Sequence, residues 1–264
     1  MLRNHILFLC LFILYASQLS GQNKWEHFTH NDGLASNRIN DIHIIDSNHI
    51  WIATNQGLSF YNGSSFTNYN TSNSLLTNNN IKQIEYAFGE VWFSTNDGLS
   101  MFDGRSINNF TVANGLIGNT IKDMALDTNG NLWLACNNGV SKYDGTQFLH
   151  DSGKVAQSIA VDRNNNVYIL RYSAIFNITG YTIYEIFDGI SWNTYPITFT
   201  NAVNSVKIKK TKSDDLIIYS TNSKAYFEVT FPFSLKRVFP AGQVNSYNNF
   251  NNIEIDENNK KWLS

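Results

Sequence analysis

The residues that could support acid–base or metal chemistry are few and scattered. After residue 21 the histidines are His27, His30, His43, His49 and His150, and their spacing contains no paired metal-binding motif. Glu26, Glu85 and Glu90 form no pair of the kind that general acid–base catalysis uses. These spacings favour a protein that is not an enzyme and that needs neither a metal nor a cofactor.

Amide and aromatic side chains offer a second kind of chemistry, because amide groups beside tyrosines suit the hydroxyl groups of a sugar. One set of candidate ligand-binding residues lies in turns that recur along the chain: Arg38, Asn55, Asn96, Asp97, Asn137 and Asn138. A second set lies in a segment of the fourth repeat that the other repeats lack: Tyr172, Phe176 and Tyr181. Two structural explanations stay open. Asparagine is a preferred turn residue, and the second set fits an extended hairpin that packs on its neighbour.

The turns recur because the sequence repeats with a step of 41 residues. Trp51, Trp92 and Trp133 are separated by this step, and so are the glycines Gly63, Gly104 and Gly145. A fixed period of this length predicts a repeat architecture. We therefore expect these tryptophans and glycines to be structural rather than ligand-binding.

Each repeat predicts four strands, named a to d, which in the first complete repeat are 39–45, 50–54, 58–61 and 65–69. Strand b is apolar at successive positions, which indicates that both faces of the sheet are covered. Asn62-Gly63 is predicted to form a two-residue type I′ turn between strands c and d, because this dipeptide tolerates the positive φ angles that the turn requires. Its counterparts are Asp103-Gly104, Asp144-Gly145 and Asp188-Gly189.

These features predict an all-β fold, a β-propeller of four-stranded antiparallel blades over residues 22–264. Blade starts are expected near residues 39, 81, 121, 156, 203 and 253, which gives about five and a half blades and an incomplete ring. Residues 25–28 match the last strand of a repeat and are predicted to close the ring, which would remove an open sheet edge. The fourth repeat has an insertion between Tyr168 and Asp188.

The first 21 residues have the layout of a secretory signal peptide: Arg3 and His5, an apolar run from Ile6 to Tyr15, and then small and polar residues. Cleavage is expected near Gly21, with cleavage after Ala16 or Ser17 as alternatives. We expect an exported protein, periplasmic or at the cell surface, with no membrane span after cleavage. Cys136 would then be its one cysteine, so no disulfide could form within the chain.

The charge balance argues against a nucleic-acid partner. The net charge is -2, and the densest basic run, residues 207–212, alternates with apolar residues as a solvated strand face would. An oligosaccharide or a protein is the expected partner.

The pattern from Asp127 to Gly145, which contains Leu132-Trp133-Leu134-Ala135 and the turn dipeptide Asp144-Gly145, resembles the two-component regulator propeller repeat. The resemblance covers residues 25–264 and is strongest in the first three repeats. It implies a seven-bladed propeller that serves as the exported sensor region of a two-component regulator in Bacteroidetes. Many such sensors recognise glycan fragments, and signalling would require a downstream domain or a partner.

Within a propeller, the d-to-a and b-to-c connections share one face, here called the front face, and the other turns share the rear face. Both sets of candidate residues are expected at the front. The favoured hypothesis is a sensor-type module that binds a glycan or another ligand. The alternatives are a structural or adhesive protein that uses the propeller as a protein-interaction platform, and a divergent propeller lyase or hydrolase.

Overall fold

The protein is built almost entirely from β-strands. The computed structural model describes residues 27–172, 181–198, 206–210, 216–220, 225–230, 234–237, 253–255 and 261–263. The predicted signal peptide, residues 25–26 of the predicted closing strand and Phe176 lie outside this part of the chain. Two 3₁₀ turns, His30–Asp32 and Val112–Asn114, each end at a glycine with positive φ.

The first three blades contain twelve strands in chain order. Blade 1 has β1 Ile39–Asp46, β2 His49–Thr54, β3 Gly57–Tyr61 and β4 Phe66–Tyr69. Blade 2 has β5 Gln83–Ala87, β6 Glu90–Ser94, β7 Leu99–Phe102 and β8 Ile107–Phe110. Blade 3 has β9 Ile121–Leu126, β10 Leu132–Cys136, β11 Gly139–Tyr143 and β12 Phe148–Asp151.

Blade 4 has β13 Ser158–Val161, β14 Val167–Tyr172, β15 Tyr181–Phe187 and β16 Trp192–Thr198. Blade 5 has β17 Val206–Lys210, β18 Leu216–Ser220, β19 Ala225–Thr230 and β20 Ser234–Arg237. The last two strands, β21 Ile253–Ile255 and β22 Lys261–Leu263, pair with each other.

The strand pairing confirms the predicted fold class. Within the described residues, five four-stranded antiparallel sheets and one two-stranded sheet follow one another, and each pairs its strands in chain order. The first strands begin at residues 39, 83, 121, 158, 206 and 253. Residues 27–29 lie outside any strand, so ring closure by residues 25–28 stays a prediction.

The two-residue turn predicted at Asn62-Gly63 is wrong. Tyr61 pairs with Phe66, which leaves a loop of four residues, and only Gly63 in this loop has a positive φ, of 89°. The Asn62 side chain explains the difference, because its Oδ1 accepts hydrogen bonds from the backbone N–H groups of Ser64 and Ser65. Asp103, Asp144 and Asp188 cap the corresponding loops in the same way.

Side-chain to backbone bonds join the inner strands of neighbouring blades. Asp41 Oδ2 accepts from Ile84 N at 2.9 Å, and Gln83 Oε1 accepts from Met124 N at 2.9 Å. The Asp123 carboxylate accepts from Ile159 N at 3.1 Å and from the Ser158 hydroxyl. These bonds fix each blade against the next near the axis, so the residues between the blades are held in a defined frame.

Apolar residues fill the spaces between blades, and the three repeated tryptophans all lie there. Trp51 and Trp92 are buried, with 5% and 0% of their surface exposed. Trp133 packs against the core between blades 3 and 4 but is only half-buried. We call these spaces cleft 1/2, cleft 2/3 and cleft 3/4.

Candidate functional site

The front face is formed where each b-to-c turn packs on the d-to-a loop that precedes its blade. Ser36 Oγ donates to Asn55 Oδ1 at 2.7 Å in blade 1, and Asn138 Nδ2 donates to the Ile117 carbonyl at 3.1 Å in blade 3. In blade 2, Asn78 Nδ2 donates to Asp97 Oδ2 at 2.9 Å. These contacts place both kinds of connection at the same end of each blade.

The candidate residues of these turns fall into two groups. The side chains of Asn55, Asp97 and Asn138 bond to their own d-to-a loops, as the turn-residue explanation requires. Arg38 and Asn96 are exposed, and so is Asn137. Asp97 and Asn138 are exposed as well, so the two groups differ in their hydrogen bonds and not in their exposure. Within the described residues the side chains of Arg38, Asn96 and Asn137 form no hydrogen bond, so they could bond to a ligand without breaking the loop contacts.

The electrostatics of the front face centre on Lys82 and Asp97. Burial lowers the pKa of Lys82, and the nearby Asp97 carboxylate opposes this effect. A basic group and an acidic group therefore lie close to each other beside the exposed amides. This arrangement provides donors and acceptors without a large charge of one sign.

The insertion of blade 4 begins and ends in strand. Tyr172 is the last residue of β14 and Tyr181 is the first of β15, and Tyr172 pairs with Thr182. The hairpin formed by β14 and β15 is thus longer than the matching hairpin of β10 and β11 in blade 3. This agrees with the extended-hairpin explanation of the insertion. Phe176 lies outside the described residues, and ligand binding by Tyr172, Phe176 and Tyr181 stays a prediction.

Among the described residues, no three His, Cys, Asp or Glu side chains could hold a metal ion together. Burial lowers the pKa of His43 on β1. Burial also raises the pKa of the Cys136 thiol to about 12. Cys136 is therefore a protonated core residue at neutral pH and a poor nucleophile.

Sequence reasoning missed a cavity of about 520 Å³ in cleft 3/4. Trp133, Lys142, Asp151, Phe187 and Trp192 are among its lining residues. The signal was present in the repeat: two positions that are apolar in blades 1 and 2 become Lys142 and Asp151 in blade 3. Only the pairing of strands shows that both flank the half-buried Trp133.

Residues 115–138 match the family model described as the two component regulator propeller. This segment runs from the d-to-a loop before blade 3 to its b-to-c turn. Residues 115–138 are similar to a two-component regulator propeller repeat. This match and the blade topology confirm the predicted resemblance to that repeat.

Solved structures that share this propeller fold include two extracellular domains from B. thetaiotaomicron. The domain assigned to the hybrid two component system BT3049 has a TM-score of 0.69 at 17% identity and covers 90% of this chain and 34% of its own. The domain assigned to the one component system BT4673 has a TM-score of 0.66 at 20% identity and covers 90% and 33%. The present chain thus spans about a third of their length.

A virginiamycin B lyase from Staphylococcus aureus is also similar, with a TM-score of 0.65 at 15% identity, and covers 86% of this chain and 77% of its own. A search of curated proteins found no match. In the described parts of the chain, no helix has the length and apolar character needed to cross a bilayer. The similarity to the three solved structures shows that this chain has the propeller fold.

Proposed function

We propose that this protein is a non-catalytic ligand-binding propeller, the sensor-type part of an exported system, and that its ligand binds on the front face. The observation that carries the proposal is the rigid polar rim. Three successive blades clamp their b-to-c turns on their d-to-a loops and leave Arg38, Asn96 and Asn137 exposed. Loops held on a rigid scaffold are where binding residues concentrate.

An oligosaccharide fits this rim. Each exposed amide can donate and accept hydrogen bonds, and Arg38 adds up to five donors. The similar B. thetaiotaomicron structures are extracellular domains of signalling systems, which supports a sensor role with a downstream domain or partner. Export to the periplasm or the cell surface belongs to the same proposal.

A titration of the full chain against a panel of neutral and acidic oligosaccharides tests the favoured function. Saturable binding is expected, and replacement of Arg38, Asn96 and Asn137 together by alanine should weaken it at least tenfold. Arg105→Ala is the matched control, because Arg105 is an exposed arginine in a rear-face loop of blade 2. Absence of saturable binding across the panel would overturn the glycan proposal, and equal binding by all variants would overturn its location.

A further inference from the structure

Cleft 3/4 differs from the two clefts before it at matching positions. In each of the first three blades a tryptophan on strand b pairs with one residue on strand c, and a residue of strand d completes the same face. In chain order these sets are Trp51, Phe60 and Tyr69; Trp92, Met101 and Phe110; and Trp133, Lys142 and Asp151. The third blade replaces both apolar partners by charged residues.

The first two clefts cover their tryptophans. Tyr69 stacks on Trp51 with ring centroids 6.0 Å apart, and Phe110 stacks on Trp92 at 5.4 Å. The following blade adds one more ring to each, Phe102 at 5.4 Å from Trp51 and Tyr143 at 5.0 Å from Trp92. No space for a ligand is left over these two rings.

Cleft 3/4 has no ring in the place of Tyr69 and Phe110, because Asp151 stands there. Trp133 is consequently half-buried, and a cavity of about 520 Å³ lies beside it. Cavities of roughly 300–1,000 Å³ are typical of small-molecule sites. The space is therefore of a size that a small ligand could fill.

The aromatic side of the cavity is a row of three rings. Phe187 lies 6.1 Å from Trp133 and 5.2 Å from Trp192, measured between ring centroids. Trp133 Nε1 donates to Asp127 Oδ2 at 3.1 Å, which fixes the orientation of the indole. Lys154 Nζ lies 5.3 Å from the centre of the Trp192 ring.

Further contacts hold the two blades around this space. At the rear edge, Asn165 Oδ1 of blade 4 accepts from Thr128 N and Thr128 Oγ1 of blade 3. On the blade 4 side, the buried Glu185 carboxylate lies 3.1 Å from Lys154 Nζ and 3.0 Å from Arg171 Nη1. The cavity is thus bounded by anchored groups from both blades.

The polar groups of the cavity define the ligand. Lys142 Nζ lies 5.4 Å from the centre of the Trp133 ring and, among the described residues, forms no ion pair. Asp151 Oδ1 accepts a bond from Gly153 N at 3.0 Å, and within the described chain Asp151 also forms no ion pair. Asp127 also lines the cavity, but its oxygens already accept hydrogen bonds from Asn129, Asn131 and Trp133. Lys142 and Asp151 therefore remain as one cation and one carboxylate available to a ligand.

A ligand with a net charge would satisfy one of these groups and be repelled by the other. Hydroxyl groups satisfy both, because each can accept from an ammonium group and donate to a carboxylate. A ring with an apolar face would in addition cover the exposed surface of Trp133 or Trp192. We propose that cleft 3/4 binds a small uncharged ring that carries hydroxyl groups on its rim, the chemistry of a pyranose unit. This site is separate from the front face and does not depend on the function proposed for it.

The test is a titration of the full chain with cellobiose and N,N′-diacetylchitobiose, followed by calorimetry and tryptophan fluorescence. Saturable binding is expected with a Kd of about 10 μM to 1 mM. Spermidine, glucuronate and L-tryptophan serve as the cationic, anionic and zwitterionic probes and should bind at least tenfold more weakly. Tighter binding of any of these three, or no saturable binding of either disaccharide, would overturn the proposal.

Variants locate the binding. The double change Lys142→Met and Asp151→Phe restores the residues of blade 2 and should fill the cavity, so the affinity should fall at least tenfold. Asp151→Asn keeps the size of the side chain and should weaken binding severalfold. Arg105→Ala, in a rear-face loop of blade 2, is the control and should bind the disaccharides as tightly as the unmodified protein does. Because the filled variant leaves the front face unchanged, a loss of binding in that variant assigns the disaccharides to this cleft and not to the front face. Full affinity in the filled variant would overturn the proposal.

Discussion

Cleft 2/3 and cleft 3/4 are built from the same repeat and have opposite character. Cleft 2/3 contains Trp92 with none of its surface exposed, surrounded by Phe110, Tyr143 and other apolar side chains. Cleft 3/4 presents a half-buried tryptophan, charged neighbours and a cavity.

The difference shows that one residue type at one repeat position can serve two purposes. The tryptophan of strand b is an inter-blade core residue where its neighbours are apolar, and a cavity wall where they are polar. A propeller can therefore acquire a binding space between blades without any change of strand or turn. In blade 3 the change lies at two positions that share a face with the tryptophan, Lys142 on β11 and Asp151 on β12.

The largest contrast is expected from removal of each tryptophan. Trp92→Ala should lower the free energy of unfolding by about 3–5 kcal/mol, because it leaves a large void in a filled core. Trp133→Ala should cost about 1–2 kcal/mol, because its ring is half-exposed and already borders a cavity. Urea unfolding of both variants measures the difference.

Trp92→Phe is a useful control, because Trp92 Nε1 is buried without a hydrogen-bond partner among the described residues. Phenylalanine loses no hydrogen bond there and should cost less than alanine. Equal costs for the two alanine variants would contradict the distinction between the clefts.

A second contrast concerns a buried position that faces the preceding blade. It holds Ser141 in blade 3, where the hydroxyl bonds to His150, and Glu185 in blade 4, where Lys154 and Arg171 neutralise the carboxylate. Glu185→Gln leaves two cations without their partner and should cost about 2 kcal/mol, less than a fully buried pair because Lys154 and Arg171 are partly exposed. Ser141→Ala should cost about 1 kcal/mol.

Urea unfolding at low and at high salt measures both effects. The cost of Glu185→Gln should diminish at high salt, because the ion pairs reach the surface, whereas that of Ser141→Ala should not change. A Glu185→Gln variant as stable as the unmodified protein would show that the ion pairs do not anchor blade 4.

A third test gives cleft 3/4 the apolar residues of cleft 2/3. Lys142→Met with Asp151→Phe should raise the free energy of unfolding by about 1 kcal/mol, since new apolar burial exceeds the lost bond from Gly153 N. The reverse pair in cleft 2/3, Met101→Lys with Phe110→Asp, should be strongly destabilising because it buries charge. Differential scanning calorimetry compares them, and a lower melting temperature for the first pair would mean that the cavity cannot accept a phenyl ring.

Much of the fold could be predicted because the same sequence pattern occurs in three successive repeats. The step between Trp51, Trp92 and Trp133 sets the blade, and in blade 4 the sequence pattern gives Tyr168 the tryptophan position. The structure supports this placement, since Tyr168 bonds to Asp162 through its hydroxyl as Trp133 bonds to Asp127 through its indole. A recurring sequence pattern contains only the residues that the blades have in common. It therefore predicts the structure that all blades share.

What the pattern missed depends on single blades and on side-chain contacts. The loop that begins at Asn62 is four residues long because the Asn62 side chain caps two backbone N–H groups, and the dipeptide alone does not reveal this. The character of cleft 3/4 depends on which residues of β10, β11 and β12 share a face, and that requires the strand register. The sequence of the front-face turns does not separate Asn55 and Asn138, whose side chains bond to the d-to-a loops, from Asn96, whose side chain forms no such bond within the described residues.

The smallest expected effect is a pH dependence in cleft 2/3. Burial raises the pKa of the Glu90 carboxyl, and the Asp103 carboxylate adds to the effect. The folded state therefore disfavours the ionised form, so the contribution of Glu90 to stability is fully present below the unfolded pKa of about 4.3 and is lost as the pH rises through the folded pKa. Glu90→Gln should raise the free energy of unfolding at pH 7 by less than about 0.5 kcal/mol, because the group is not deeply buried. Urea unfolding of the variant and the unmodified protein at pH 3.5, 5 and 7 should give a difference that appears only above the acidic range, and a difference of the same size at pH 3.5 would show that packing rather than charge is responsible.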